Sequence, residues 1–143
     1  MTVSSAPVSC GVLTMRDLFE TIDEEYINMT FDEYHTEAMN TAIYPGHLIY
    51  PLLGLQGEVG EFSEKVKKYF RDTTGEMDLE DPVVEMSAGL REDLAKEAGD
   101  ILWYLTAVVG DLGYDLEEIA AMNLKKLADR KERGQLQGSG DDR

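Results

Sequence analysis

The chain carries a single cysteine, Cys10, in 143 residues. An internal disulfide framework is therefore excluded, and a reducing compartment suits the composition. Positive charge is also scarce: 13 lysines and arginines stand against 29 aspartates and glutamates, a formal net charge of −16. Nucleic-acid backbones and anionic membrane surfaces repel such a chain, so neither is expected as a partner. No stretch approaches the roughly 18 consecutive apolar residues of a membrane span, and Met1 to Gly11 lacks the charged start and long apolar centre of a secretion signal. A cytoplasmic location is the resulting expectation. Proline occurs only four times, which leaves long stretches open to helix. No segment alternates apolar and polar residues long enough to demand a strand.

What is present reads as an all-α chain of about four to five helices. Its 43% apolar and 29% charged residues fit an ordinary globular mixture. A chain of this mass exposes roughly 7,400 Å² of an unfolded surface of roughly 23,000 Å², enough for one hydrophobic core. Residues 1–30 read as an N-terminal arm with a short helix near Arg16 to Tyr26, carrying Leu18, Phe19 and Ile22. Thr30 followed by Glu33 is a capping-box signature, and the helix it opens stops before Pro45 and Gly46. A long amphipathic helix opens near His47 or Pro51 and runs to about Arg71, with Leu52, Leu55, Val59, Phe62, Val66 and Tyr69 repeating at three and four. Gly54, Gly57 and Gly60 each cost that helix about 1 kcal/mol relative to alanine, so a close approach by another helix or a ligand is expected along their face.

A connector with Gly75, Pro82 and Gly89 follows, including one short helix near Val83 to Met86. Leu90 to about Asp111 is again strongly helical, closed by Gly110 and Gly113. Asp115 with Glu118 marks a second capping box before Leu116, Ile119, Leu124 and Leu127. Residues 31–130 form the folded domain in this reading, and residues 131–143 a polar, glycine-rich tail.

The chemistry concentrates in acidic pairs at helical spacing. Glu58 and Glu61 are three apart, with Glu64 one turn on, and Glu97 and Asp100 repeat the step on the next long helix. Most such pairs in an acidic chain mark solvated faces. These flank apolar residues, however, so some of them lie beside a helix interface, where unpaired carboxylates require protonation, basic partners or metal. A carboxylate-only set favours Mg²⁺ or Mn²⁺, with phosphate oxygens and water as the remaining ligands. Cys10, His35 and His47 lack convergent zinc spacing, and Asp32 with His35 is the only approximation to the Glu-x-x-His step of a di-iron bundle.

Lys65, Lys67, Lys68 and Arg71 complement the dipole at the end of the long helix and also suit ordinary surface charge. Asn123, Lys126 and Arg130 form one polar stripe that can reach triphosphate oxygens across a bundle groove. Trp103 and Tyr104 suit packing, whereas Tyr44, near Tyr50, suits the border of a base pocket. No phosphate-binding glycine loop, dinucleotide fingerprint or nucleophile elbow occurs, so phosphate recognition has to run through metal.

Four blocks carry a resemblance: Thr41-Ala42-Ile43-Tyr44-Pro45, Gly54 to Glu61, Lys96 to Leu105, and Asn123-Leu124-Lys125-Lys126-Leu127. In this order they closely resemble the MazG-like nucleoside triphosphate pyrophosphohydrolases, over about Phe31 to Arg130. The resemblance implies an all-α NTP pyrophosphatase fold, Mg²⁺ dependence, assembly as a homodimer or homotetramer, and cleavage of a (deoxy)nucleoside triphosphate to monophosphate and pyrophosphate. It implies Glu58, Glu61, Glu97 and Asp100 as metal ligands, with Glu61 or Glu58 also positioning the attacking water. Asn123, Lys126 and Lys65 become phosphate-facing groups, and Tyr44 and Trp103 border the nucleotide. Two other readings stand beside it: a non-catalytic acidic module for interaction or nucleotide sensing, and a pyrophosphatase for a modified nucleotide.

Overall fold

The computed structural model describes residue 26 and residues 28–73 and 86–137. These form an all-α four-helix bundle: α1 (Phe31–Met39), α2 (Ile49–Asp72), α3 (Ala88–Asp111) and α4 (Leu116–Glu132). The short helices expected near 16–26 and 83–86 lie essentially outside the described residues, as do most of the arm and the tail's end.

Local chemistry explains the helix boundaries. Thr30 Oγ1 accepts from the Glu33 amide at 3.2 Å, and Glu33 returns the bond from the Thr30 amide at 2.7 Å. Asp115 and Glu118 build the same reciprocal cap on α4. Ser87 caps α3 through the Leu90 amide. Gly113 takes φ +80° just past the end of α3, and the Tyr114 amide reaches back to the Val109 carbonyl at 3.2 Å. Gly110 has a different task from the expected closure. A Cβ there would lie 2.9 Å from His35 Cε1, so its missing side chain is what lets α1 seat against α3.

The bundle is organised around α2 and α3, its most extensively packed pair. They run antiparallel, as three contacts spaced along them show: His47 and Leu48 meet Asp111, Gly54 lies against Tyr104, and Lys65 meets Glu97. The small helix α1 packs on α3 and α4. The Asp32 amide in its first turn donates to Glu117 Oε1 at 2.8 Å, which ties the starts of α1 and α4 together. The buried apolar residues are few and mostly small or at helix ends: Ala38, Met86, Leu94, Ala107, Val109 and Leu116.

The entry to α2 is held by one side chain. Leu48 sits at φ +60°, where a residue with a Cβ is rare, and it offers α2 no side-chain cap of its own. Asp111 supplies one from α3: Oδ2 accepts from the Leu48 amide at 2.5 Å and Oδ1 pairs with His47 Nδ1 at 2.9 Å. The Leu48 amide, and after it the His47 ring, hold the Asp111 carboxyl below its ordinary value against the opposing pull of burial. Pro51 follows in the first turn, where its missing N–H costs nothing, and it is fully buried.

Of the three α2 glycines, only Gly54 carries a close approach. A Cβ on it would overlap the Tyr104 ring, whereas Gly57 and Gly60 face open space. The shared-face expectation is corrected accordingly: the glycines point in drifting directions, and α3 crosses closely at the first alone.

Two substitutions test these contacts. Asp111→Ala should lower unfolding free energy by about 1–2 kcal/mol in urea titration at neutral pH, the upper range of a lost helix cap. Because the folded carboxyl titrates below its ordinary value of 3.8, that contribution is complete above that value and disappears as pH falls through the lower folded one. Equal stability of variant and parent at neutral pH would remove the clasp from the account. Gly54→Ala should cost roughly 1–2 kcal/mol, the overpacking against Tyr104 outweighing the gain in helix propensity; a raised unfolding midpoint would show that the ring yields.

Candidate functional site

The α2–α3 seam places acids where a helix pair ordinarily buries apolar side chains. Gly54, Glu58, Glu61 and Lys65 recur at four, three and four along α2; Glu97, Asp100 and Tyr104 recur at three and four along α3. Such spacings put each set on one face. The antiparallel register then brings Glu58 opposite Glu97 and Asp100. One carboxylate oxygen from each of these three residues lies within 4.8 Å of the others. Glu97 is the most deeply placed, with 8% of its surface exposed. Asp100 is exposed and Glu58 half-buried.

Three negative groups this close are mutually costly. Burial first, then Asp100, Glu61 and Glu97, push the Glu58 carboxyl above its ordinary value. One cation offsets the cluster: Lys65 Nζ lies 2.7 Å from Glu97 Oε1. That contact raises the lysine above its ordinary value, with Glu97, Asp93 and Glu61 adding to it against the opposing effect of burial. Lys67 and Lys68 instead pair with Glu64 on their own helix face.

Of the four carboxylates expected as ligands, the structure joins Glu58, Glu97 and Asp100. Glu61 stands outside the three-oxygen group, exposed, yet near enough to act on Glu58. Asn123 and Lys126 lie on α4 and line a separate open pocket of about 410 Å³ with Ile119 and Met122.

Tyr44 stacks on Tyr50 with centroids 5.1 Å apart and meets Trp103 edge-on at 6.0 Å. It also lines a cavity of about 290 Å³ with His35, His47 and Asp111. Trp103 also serves the fold. Its indole Nε1 donates to the Ala38 carbonyl at 3.1 Å and to Thr41 Oγ1 at 2.9 Å, which anchors the end of α1 on α3. It therefore positions Tyr44 through ring contact.

Two tyrosines stand beside the acids: Tyr104, read from the sequence as packing, and Tyr34, not singled out there as a site residue. Tyr104 and Tyr34 are raised by burial first, with Asp100 adding to both and Glu58 to Tyr104. The signal for Tyr104 is its place one turn beyond Asp100 on the same face. Tyr34, on α1, carries no such mark.

The donor set fits a hard divalent cation. All three groups offer carboxylate oxygen. Oxygens around an octahedral Mg²⁺ bound at about 2.1 Å sit roughly 3–4 Å apart, and carboxylate oxygens within 4.8 Å of one another are in reach of one such ion. Burial first and the neighbouring acids after it displace Glu58 upward, the direction that a bound cation would oppose. Glu58, Glu97 and Asp100 can thus coordinate a divalent metal.

No helix among the described residues is long and apolar enough to cross a membrane. No solved structure matches the chain. The "Gene 37 protein" of Mycobacterium phage L5 is 41% identical over 123 residues, covering 80% of this chain and 100% of that relative. The family model for the MazG nucleotide pyrophosphohydrolase domain matches residues 50–134, a span holding the acidic cluster, Lys65 and all of α3 and α4. The chain belongs to the MazG nucleotide pyrophosphohydrolase domain family.

Proposed function

We propose that this protein hydrolyses a (deoxy)nucleoside triphosphate between its α and β phosphates, releasing nucleoside monophosphate and pyrophosphate. Mg²⁺, or Mn²⁺ in its place, would be held by Glu58, Glu97 and Asp100. The observation that carries the reading is the convergence of three carboxylates from two helices, with oxygens within 4.8 Å, inside the span that matches the family.

When bound, the metal would supply positive charge that neutralises the polyphosphate oxygens. The chain's own groups do the positioning. Glu58, Glu97 and Asp100 are fixed by the α2–α3 register, so no reorganisation of the helices is needed to present them. Glu61, one turn from Glu58 and outside the oxygen triangle, is assigned to orient the attacking water and hold its proton on a carboxylate oxygen. Oxygen from that water forms the new bond to the α phosphorus as the α–β bridging bond breaks, and pyrophosphate leaves. Lys65 is assigned to phosphate oxygens beside the acids and Tyr44 with Tyr50 to the border of the base, while Asn123 and Lys126, which line their own pocket on α4, are assigned to phosphate oxygens brought to them in the assembly. The cytoplasm is the compartment this chemistry suits.

We further assign the functional unit to a homodimer or homotetramer. Ile49 and Leu53 on α2 are 70% and 63% exposed, and Leu124 on α4 is 67% exposed. Apolar faces of this kind on a small helical bundle mark association surfaces.

Two measurements test these assignments. A nucleotide panel with Mg²⁺ should release pyrophosphate and monophosphate, and Asp100→Asn should lower turnover by about two to three orders of magnitude, the scale set by losing one electrostatic group of a site. Its helical circular dichroism should persist, because Asp100 is exposed. Orthophosphate release would move the cut to the γ position and overturn the reading; nucleotide binding with no hydrolysis would favour a sensing module. Light scattering should show a dimer or tetramer that Leu53→Glu shifts toward monomer, and a monomeric parent at micromolar concentration would reject the assembly.

A further inference from the structure

Lys65 is the one lysine of α2 whose recorded ion pair crosses to α3: its ammonium meets Glu97 at 2.7 Å, with the lysine side chain 35% and the glutamate side chain 11% exposed. A buried carboxylate needs such a partner, since an unpaired charge at a helix interface is expensive. Yet this same carboxylate belongs to the cluster suited to a divalent ion. An ammonium beside that ion repels it, and in a partly dry seam the repulsion is weakly screened. Lys65 also lines a cavity of about 400 Å³ with Lys68, Tyr69, Thr73 and the acids Asp72 and Asp93, so there is space beside the seam for the ammonium to leave Glu97 when another anion enters the site.

We infer that Lys65 is a resident stand-in cation: it holds Glu97 in place before metal arrives, opposes the binding of metal alone, and passes to phosphate oxygens when metal enters together with a polyphosphate. The inference rests on the proposed metal-dependent reading and assigns the order in which that site fills. Lys65 on this account is a positioning residue in the empty protein and a phosphate partner in the loaded one. Its charge disfavours a bare dication and favours a metal complex that brings net negative charge, so removing that charge changes the two affinities in opposite directions.

The test uses Mn²⁺ as a paramagnetic probe and inorganic tripolyphosphate as a ligand independent of the base. Lys65→Gln retains an N–H donor for Glu97 but loses the charge. It should tighten binding of Mn²⁺ alone by roughly three- to tenfold, the effect of one charge removed at short range in a partly screened site. The same variant should weaken binding of Mn²⁺-tripolyphosphate by a similar factor, while Lys65→Arg keeps both affinities near the parent. Thermal unfolding of each variant checks that the bundle is intact. If Lys65→Gln binds Mn²⁺ alone equally or more weakly, the lysine supports the ligand instead of opposing metal, and the inference falls while the metal reading stands. A parent chain that binds no Mn²⁺ with or without tripolyphosphate overturns both.

Discussion

Mutual repulsion among Glu58, Glu97 and Asp100 is the constraint around which the bundle is arranged. The three carboxylates are forced together only because α2 and α3 lie antiparallel in one register, and a slip of a single turn would send Glu58 past its two partners. Such a register ordinarily rests on interdigitating apolar side chains. Here the seam spends those positions on acids, a glycine and a lysine, so other contacts hold the alignment: Asp111 clasps the start of α2, Tyr104 settles over Gly54, and Lys65 reaches Glu97 further along. These three contacts bracket the acidic cluster from both sides, so an error in any one displaces it.

Electrostatics and packing are thereby coupled. Burial makes the negative charge of Glu58 harder to keep, and the neighbouring acids add to that. Burial also strengthens the attraction between Lys65 and Glu97 relative to an exposed pair such as Lys96 with Glu92 on the outer face of α3. The same partial dryness that makes the empty cluster costly gives a divalent ion its leverage there. A chain of net charge −16 repels a triphosphate at long range. Attraction must therefore arise locally, where a bound metal would reverse the acidic field.

Much of this was legible in the residues. The Thr30–Glu33 and Asp115–Glu118 caps could be read directly, because a capping box is a local reciprocal bond whose partners are three residues apart. The acidic steps on α2 and α3 were legible for a related reason: helical spacing tells which residues share a face. It does not tell what the opposite helix presents, and that is where the reading ran out. Gly54, Gly57 and Gly60 look equivalent in sequence, but only the first meets a ring. Gly110 resembles a terminator and is a seat for His35. Asp111, the clasp of α2, lies 63 residues from the amide it caps. No local pattern announces a partner at that distance.

A seam built this way is a poor solution for stability alone. Well-packed apolar residues at Glu58, Glu97 and Asp100 would remove the repulsion and the desolvation cost together, and buried charged groups are often no more stabilising than such replacements. Loss of Lys65 alone would have the opposite effect, leaving Glu97 buried without its nearest compensating charge. The arrangement is therefore metastable in a specific sense: each charge is tolerable only in the company of the others. That interdependence suits a site that has to accept a cation and a polyanion in turn. An apolar seam would have no response to either, whereas this one gains favourable charge pairing when the two enter together.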